Sequence, residues 1–364
     1  MVKVYVFRSS YGRLRQMTDE TSYRKLQVTG GSTFIVSLPK EWVRTNKLAQ
    51  GDPVGIETMQ SGQIQISPTT LKKQKRLVTI KLDNLNTHSL FDHLIGAYVS
   101  GCDGINLVSN KNIHAKYRRI IRNFLRDTRG MEITIDEEKN IEIVSLLNPT
   151  ELPLQVSLNR MYLLLTSLVE DSISTMVNGD MESLSDYEDR EKHIDARRLL
   201  VDRQVAMCLV SPSVQRSLGL DRYQAMEHAN MARSMERMGD HAMTLARMVY
   251  ENHEVLPWAT DSLPFKQIPI WSNAFRTIIR NTYNKKMDSI HESKRELEEA
   301  IKDLNEYESG LWEKNSPPSE LLFQYRFSEV VRRLCGYSID LAETLINMLM
   351  ASKSVNVDAE KIHY

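Results

Sequence analysis

The amino-acid sequence predicts a multidomain, mainly α protein with a strand-rich N-terminal domain, a small α/β domain and a long helical half. Short apolar runs broken by glycine and proline fill residues 1–70, and strand and helix patterns alternate over residues 75–150. From residue 153 onward, apolar residues recur at helical spacing almost without interruption. The 364 residues are 41% hydrophobic and 26% charged, which is typical of two or three ordinary globular domains.

The N-terminal domain is predicted to contain two β-hairpins with a short helix between them. Gly30-Gly31 separates the strands of the first hairpin, and Ser61-Gly62 separates those of the second. The intervening helix is predicted to start at Pro39, because proline fits the first turn of a helix. About 70 residues arranged in this way bury little apolar surface, so we expect an intertwined homodimer.

The second domain is predicted over residues 75–150 as a small α/β sandwich. Strand, helix, strand and helix patterns are followed by two strands around a polar turn at residues 136–140. The segment has no glycine-rich nucleotide-binding motif, and we assign no chemistry to it.

The helical half is predicted to form two tandem three-helix units, at residues 153–255 and 265–352. Proline-containing sequence from Pro257 to Pro264 divides the units, and each unit ends in a long helix. The six helices are predicted at about 154–178, 181–209, 219–253, 267–290, 292–314 and 319–351.

Hydropathy and cysteine spacing indicate the cellular compartment. No apolar run approaches the roughly 20 residues that a membrane helix needs, so we expect no membrane insertion. The segment Met1–Arg8 has neither a long apolar core nor a cleavage motif, which predicts the absence of a secretory signal. Cys102, Cys208 and Cys335 form no CxxC pair, a usage typical of a reducing compartment. We therefore expect a cytoplasmic protein.

The formal net charge of zero conceals an asymmetry along the chain. Residues 1–76 carry 13 Lys/Arg and 5 Asp/Glu, a net charge of +8, whereas residues 151–364 carry 25 and 33, a net charge of −8. This distribution favours an anionic partner for the N-terminal part and a cation for the helical half. Charge alone is equally compatible with solubility.

Two pairs of carboxylates stand out in the first helical unit. Glu191 and Asp195 are four residues apart, as are Glu236 and Asp240, so the members of each pair share a helix face and repel each other. Two such pairs on neighbouring helices offer hard oxygen ligands for a divalent or trivalent metal ion. The spacing also fits two solvated helix faces, so both interpretations stay open.

Gly239 lies beside Asp240 in an otherwise favourable helical segment. A glycine inside a helix costs about 0.5–1 kcal/mol relative to alanine. Its presence indicates the close approach of either a ligand or another helix.

At these positions the sequence resembles a known family. The segments Met235-Glu236-Arg237-Met238-Gly239-Asp240 and Glu191-Lys192-His193-Ile194-Asp195 resemble the paired E(D)xxxD signatures of PhoU, a phosphate-uptake regulator built from two three-helix repeats. The stretch from Arg24 through Gly30-Gly31 and Pro39 to Val43, with Gly51-Asp52, resembles the AbrB-type swapped-hairpin DNA-binding domain, a β-barrel. The order of an AbrB-like domain, an α/β domain and two PhoU-like repeats is similar to the archaeal form of PhoU.

The resemblance to PhoU implies bound metal ions, commonly iron or zinc, on the carboxylate motifs. The matching positions in this chain are Glu191, Asp195, Glu236 and Asp240.

The second repeat departs from that pattern. Arg332 and Gly336 stand where the glutamate and the aspartate are expected, while Glu299 and Asp303 remain on the partner helix. We expect Arg332 to face these two carboxylates and to replace the metal with an ion pair. One metal centre, in the first repeat, is therefore predicted.

The resemblance to AbrB implies contacts to DNA by basic residues, and the matching or neighbouring candidates are Arg24, Lys25, Lys40, Arg44 and Lys47. Val43 replaces one arginine of a pair, and Ser32 stands where many members have arginine. The alternative is a domain that dimerises without binding DNA.

These features predict a non-enzymatic regulator of phosphate uptake, with a DNA-binding domain and a metal-binding sensor or docking half. The alternative is an adaptor that controls a phosphate-transporter ATPase or a sensor kinase by direct contact. A metal-dependent hydrolase is disfavoured, because no nucleophile or general base accompanies the carboxylates.

Overall fold

The computed structural model describes residues 23–58, 62–68, 75–148, 151–252, 260–313 and 316–354. The chain divides into two units, Met1–Gln74 and Lys75–Tyr364. The predicted divider at Pro257 lies outside the described residues.

The first unit contains two antiparallel hairpins and one short helix. Its elements are β1 (Gln27–Thr29), β2 (Thr33–Ile35), α1 (Lys40–Thr45), β3 (Val54–Thr58) and β4 (Ile64–Pro68). β1 pairs with β2, and β3 pairs with β4, in separate two-stranded sheets. Gly30 and Gly31 have φ angles of 58° and 86°, a left-handed turn that explains the two glycines.

The hairpins of this unit expose their apolar side chains. Val28, Phe34, Ile56 and Ile64 are each 61–67% exposed. Among residues 23–58 and 62–68, Pro68 alone is buried. The described residues of this unit therefore enclose no hydrophobic core of their own.

The second unit begins with a four-stranded sheet covered by two helices. Its elements are β5 (Leu77–Lys81), α2 (Thr87–Val99), β6 (Gly104–Val108), α3 (Ala115–Asp127), β7 (Met131–Asp136) and β8 (Asn140–Ser145). The strand order is β5-β6-β8-β7, with β5 and β6 parallel and the other pairs antiparallel. Ile105 and Ile143 of the sheet and Leu90 and Phe124 of the helices are fully buried in one core.

The rest of the unit is helical. Its helices are α4 (Leu154–Asn178), α5 (Tyr187–Val210), α6 (Pro212–Leu218), α7 (Arg222–Glu251), α8 (Leu263–Asn284), α9 (Met287–Leu311) and α10 (Pro318–Lys353). None of these described helices is both long and apolar enough to cross a membrane. The prediction of a multidomain, mainly α protein is confirmed.

Several helix boundaries differ from the prediction by a few residues, and two of these differences involve proline. Pro212 opens the short helix α6, and Pro264 lies in the first turn of α8, whereas both were predicted between helices. Proline has no N–H to donate, and the first turn of a helix requires none, so these prolines start helices.

Helix α7 packs against both other long helices of the first unit, α4 and α5, and carries a seven-residue repeat of buried apolar side chains. The repeat has alternating spacings of four and three, and its members are Met231, Met235, Met238, Ala242, Leu245 and Val249. Each is at most 1% exposed. This stripe fixes the rotation of α7 about its axis.

Residues of α5 join the helical bundle to the α/β domain. Leu199 packs in the α/β core, and Arg203, which is 1% exposed, donates from Nη1 to the carbonyl of Tyr98 at 2.7 Å and from Nη2 to that of Cys102 at 2.9 Å. The structure therefore keeps residues 75–364 in one unit, and their predicted division into three domains stays a prediction.

Candidate functional site

The candidate metal centre lies between α5 and α7, where a glycine allows the two helices to approach closely. A Cβ atom at Gly239 would lie 3.2 Å from both Cδ1 and Cγ2 of Ile194, which is fully buried. Helix packing is therefore one reason for this glycine. Because Ile194 adjoins Asp195 and Gly239 adjoins Asp240, the same contact brings the two aspartates together.

Hydrogen bonds at its N-terminus fix the start of α7. The Asp221 side chain accepts from the backbone N–H of Gln224 at 2.7 Å, and the Gln224 side chain accepts from the N–H of Asp221 at 3.1 Å. This capping box satisfies two N–H groups that would otherwise lack partners.

Three of the four predicted carboxylates converge. Glu191, Asp195 and Asp240 each place a carboxylate oxygen within 4.8 Å of the others. Glu236 lies at the edge of this group, and its Oε1 is 3.8 Å from Nη2 of Arg198. The structure thus brings the two helix motifs to one place, with Glu236 shared between the cluster and a cation.

Burial raises the pKa of every carboxyl in the cluster, and negative neighbours add to the rise for Glu191, Asp195 and Glu236. The pKa of Asp195 rises to about 7, first because burial disfavours its charged form and then because of Glu191, Glu236 and Asp240. Burial is also the largest cause of the raised pKa of Glu191, Glu236 and Asp240. Without a cation, these carboxyls resist being charged together.

A row of alternating basic and acidic side chains continues from the cluster along the contact between α5 and α7. Arg198 donates to Asp202 at 2.9 Å, and Asp202 lies 3.8 Å from Arg233 of α7. Our sequence reasoning missed these residues, although the spacing of Glu191, Asp195, Arg198 and Asp202 by four, three and four is that of one helix face. Arg198 lowers the pKa of both Glu236 and Asp240, and so partly offsets the repulsion at one end.

The donor set fits a hard cation. Carboxylate oxygens on two rigid helices suit divalent and trivalent ions that prefer oxygen ligands, and burial strengthens their electrostatic attraction to such an ion. Glu191, Asp195 and Asp240 would hold the ion, with Glu236 as a fourth ligand if it leaves Arg198. Among the described residues, Glu191, Asp195 and Asp240 are the one set of three or more such side chains arranged in this way.

The second repeat differs from the prediction at Arg332. Its Nε lies 3.0 Å from Oε1 of Glu308, which also accepts from Ser328, whereas we expected Arg332 to face Glu299 and Asp303. Asp303 instead accepts from Gln267 at 3.1 Å. A residue spacing does not fix the relative height of two helices, and here α10 is placed so that Arg332 lies beside a later turn of α9.

Gly336 offers a matched comparison for Gly239. A Cβ at Gly336 would meet nothing within 4 Å, so Gly336→Ala is expected to raise the free energy of unfolding by about 0.5–1 kcal/mol through helix propensity. Gly239→Ala has the same propensity gain but must displace Ile194, and that gain should be cancelled or reversed. Urea unfolding of both variants measures the difference. Equal stabilisation at the two positions would contradict the close packing at Gly239.

The five predicted DNA contacts lie on the first unit. Arg24, Lys25, Lys40, Arg44 and Lys47 are all exposed. Lys40 and Arg44 are one helical turn apart on α1, and Lys47 has a φ of 54° just beyond its end. Among the described residues, the structure shows no ion pair for any of these five side chains, and their charges face solvent.

Two family models match the chain. The model for "Antidote-toxin recognition MazE, bacterial antitoxin" matches residues 27–75. The model for the PhoU domain matches residues 158–249, a range that contains all four carboxylates of the candidate centre. Neither match indicates a catalytic family.

The solved structures to which part of this chain is similar include two PhoU proteins. The phosphate transport system regulatory protein PhoU from Streptococcus pneumoniae is 14% identical with a TM-score of 0.44, covering 56% of this chain and 96% of its own. PhoU from Pseudomonas aeruginosa is 15% identical with a TM-score of 0.43, covering 55% and 96%. Comparison with curated proteins gives no match. This chain therefore carries a MazE/AbrB-like domain in its N-terminal unit and a PhoU domain in its helical half.

Proposed function

We propose that this protein is a non-enzymatic, cytoplasmic regulator of phosphate uptake that binds DNA as a homodimer and holds a metal ion in its PhoU domain. The observation that carries the proposal is the presence of both matched domains in one chain. A PhoU domain supports a role in phosphate homeostasis, and a MazE/AbrB-like domain is compatible with binding to DNA.

The surface of the N-terminal unit supports two parts of the proposal, dimerisation and the binding of an anionic ligand. Its hairpins expose Val28, Phe34, Ile56 and Ile64, and a second copy that intertwines with the first would bury them and complete the β-barrel. Its basic side chains remain free to approach phosphate groups. A protein that only dimerised would need the apolar residues and not the cations.

The carboxylate cluster supports a metal-dependent sensor or docking half. Glu191 and Asp195 are partly buried and Asp240 is exposed. A cation would offset the repulsion within the cluster and the cost of burying its charges. Iron or zinc is the expectation from the resemblance to PhoU.

DNA binding can be tested by fluorescence anisotropy. The probe is a labelled duplex from the region upstream of the protein's own gene, at low and at physiological salt. Arg24→Ala with Arg44→Ala is expected to weaken binding roughly 10- to 100-fold, because two phosphate or base contacts are removed. Lys266→Ala with Lys302→Ala, at exposed positions of α8 and α9, is the control of equal charge change. Equal affinity of the Arg24/Arg44 variant and wild type would remove these residues from the interface.

An adaptor function has one observation in its favour. The matched N-terminal family is described by the recognition of a toxin, which is a protein, and Val43 and Ser32 replace two expected cations. In that case a phosphate-transporter ATPase or a sensor protein would be the partner. Pull-down of the transporter ATPase by the full chain, together with no DNA retention at any salt, would favour the adaptor.

A further inference from the structure

Helix α3 of the α/β domain is strongly basic on one side. Its 13 residues, AKYRRIIRNFLRD, contain five Lys/Arg and one Asp. The exposed basic residues, here named the α3 basic stripe, are Lys116, Arg119, Arg122 and Arg126. Spacings of three, three and four place them along one side of the helix, over about 15 Å.

The opposite side of α3 is buried in the domain. Phe124 is fully buried and Ile121 is 1% exposed, and both belong to the core under the sheet. The helix cannot turn its apolar face toward a lipid surface without unfolding the domain. An amphipathic membrane anchor is thus disfavoured, since such a helix must expose its apolar face.

Most charges of the stripe lack acidic partners. Arg118 lies outside the stripe and is paired with Asp136, and Arg126 is 3.2 Å from Asp127. In the described part of the chain, the structure shows no ion pair for Lys116, Arg119 or Arg122. Lys116 instead lies 5.3 Å from the centre of the Tyr117 ring. Three of the four charges of the stripe are therefore without an ion pair in the described part of the chain, on a helix that its buried face holds in place.

A regular polyanion fits this surface better than a protein does. Protein interfaces use a central aromatic or aliphatic anchor, and the stripe offers cations alone. The phosphates of one B-DNA strand follow one another every 3.4 Å along the axis, so 15 Å spans about four of them. Guanidinium groups bind phosphate oxygens through paired hydrogen bonds.

We propose that the α3 basic stripe is a second DNA-binding surface, which contacts the phosphate backbone without reading sequence. The inference rests on the proposed DNA-binding function and adds contacts to those of the N-terminal unit. Phosphate contacts position a protein on the duplex and carry no direct sequence information. The stripe should therefore add affinity and salt dependence, with no effect on discrimination between sequences.

The test compares Arg119→Ala with Arg122→Ala in the full chain against wild type, by anisotropy on a labelled 40-base-pair duplex of random sequence from 50 to 200 mM salt. The slope of log K against log salt is negative, and each lost phosphate contact reduces its magnitude by about 0.9. In the double variant, the magnitude of this slope should fall by about two, and the affinity at 50 mM salt should fall by about tenfold. The ratio of affinities for the upstream duplex and the random duplex should stay unchanged. Lys302→Ala with Arg326→Ala, at exposed positions of α9 and α10, controls for net charge.

The outcomes separate this inference from the proposed function. A wild-type slope in the Arg119/Arg122 variant, while Arg24→Ala with Arg44→Ala still weakens binding, would overturn the stripe alone. Absence of DNA retention by wild type would overturn both. Unchanged DNA affinity with lost binding to poly-L-glutamate would assign the stripe to an acidic protein and overturn the inference. Thermal melting of each variant shows that it remains folded.

Discussion

Replacing Arg203 with alanine is expected to lower the free energy of unfolding by about 3 kcal/mol. Arg203 is almost completely buried, and its two hydrogen bonds reach carbonyl groups at the C-terminal end of α2 and just beyond it. The guanidinium also lies 5.0 Å from the centre of the Tyr98 ring. Each charged hydrogen bond contributes about 1.5–3 kcal/mol, and relief of the buried charge offsets part of the loss.

The location of the effect is as informative as its size. Arg203→Ala should speed amide hydrogen exchange from Tyr98 to Gly104, because this segment loses its attachment to α5. Arg203→Met fills most of the volume but cannot donate, so it should leave the Cys102 carbonyl without this donor, whereas the Tyr98 carbonyl still accepts from the N–H of Gly101. Arg326→Ala, at an exposed position of α10, is the control and should change stability by less than about 0.5 kcal/mol. A loss below about 1 kcal/mol for Arg203→Ala would show that this arginine does not hold the α/β domain to the bundle.

The role of Arg203 could not be predicted from sequence. Periodicity places Leu199 and Arg203 on one face of α5, and an arginine on an apolar face is usually assigned to solvent. Its partners are backbone carbonyls about 100 residues earlier, and backbone acceptors have no sequence signature. Helical order from residue 153 was predictable, because apolar spacing such as that of Met231 to Val249 extends over many turns.

At the candidate site, the motifs could also be predicted from sequence, whereas the relative placement of their helices could not. The spacing of Glu191 and Asp195 and of Glu236 and Asp240 identified the motifs, since a helix converts spacing directly into a shared face. Whether two faces meet depends on the height and rotation of the helices. In the first repeat, the contact of Ile194 with Gly239 fixes the height and rotation of α5 relative to α7. In the second repeat, the pairing of Arg332 with Glu308 shows that α9 and α10 have a different relative height.

Removal of metal ions by a chelator is expected to lower the melting temperature of the wild-type protein by roughly 3–5 °C. Glu191, Asp195 and Asp240 converge within 4.8 Å. Burial raises the pKa of each, and negative neighbours add to the rise for Glu191 and Asp195. Binding of a cation to the folded state alone contributes about 2.7 kcal/mol at a concentration one hundred times the dissociation constant. For a protein of this size, that free energy corresponds to a shift of several degrees.

Glu191→Gln with Asp240→Asn should abolish the sensitivity to chelator, because two ligands and much of the repulsion are removed together. In chelator, this variant should melt at or above the temperature of wild type, since it lacks the uncompensated charges. Glu299→Gln with Asp303→Asn is the matched control, because these carboxylates have the same spacing on α9 without belonging to the cluster. The control should retain the full response to chelator. Equal melting of wild type with and without chelator, together with no bound metal by elemental analysis, would mean that the carboxylates form a charged face and hold no ion.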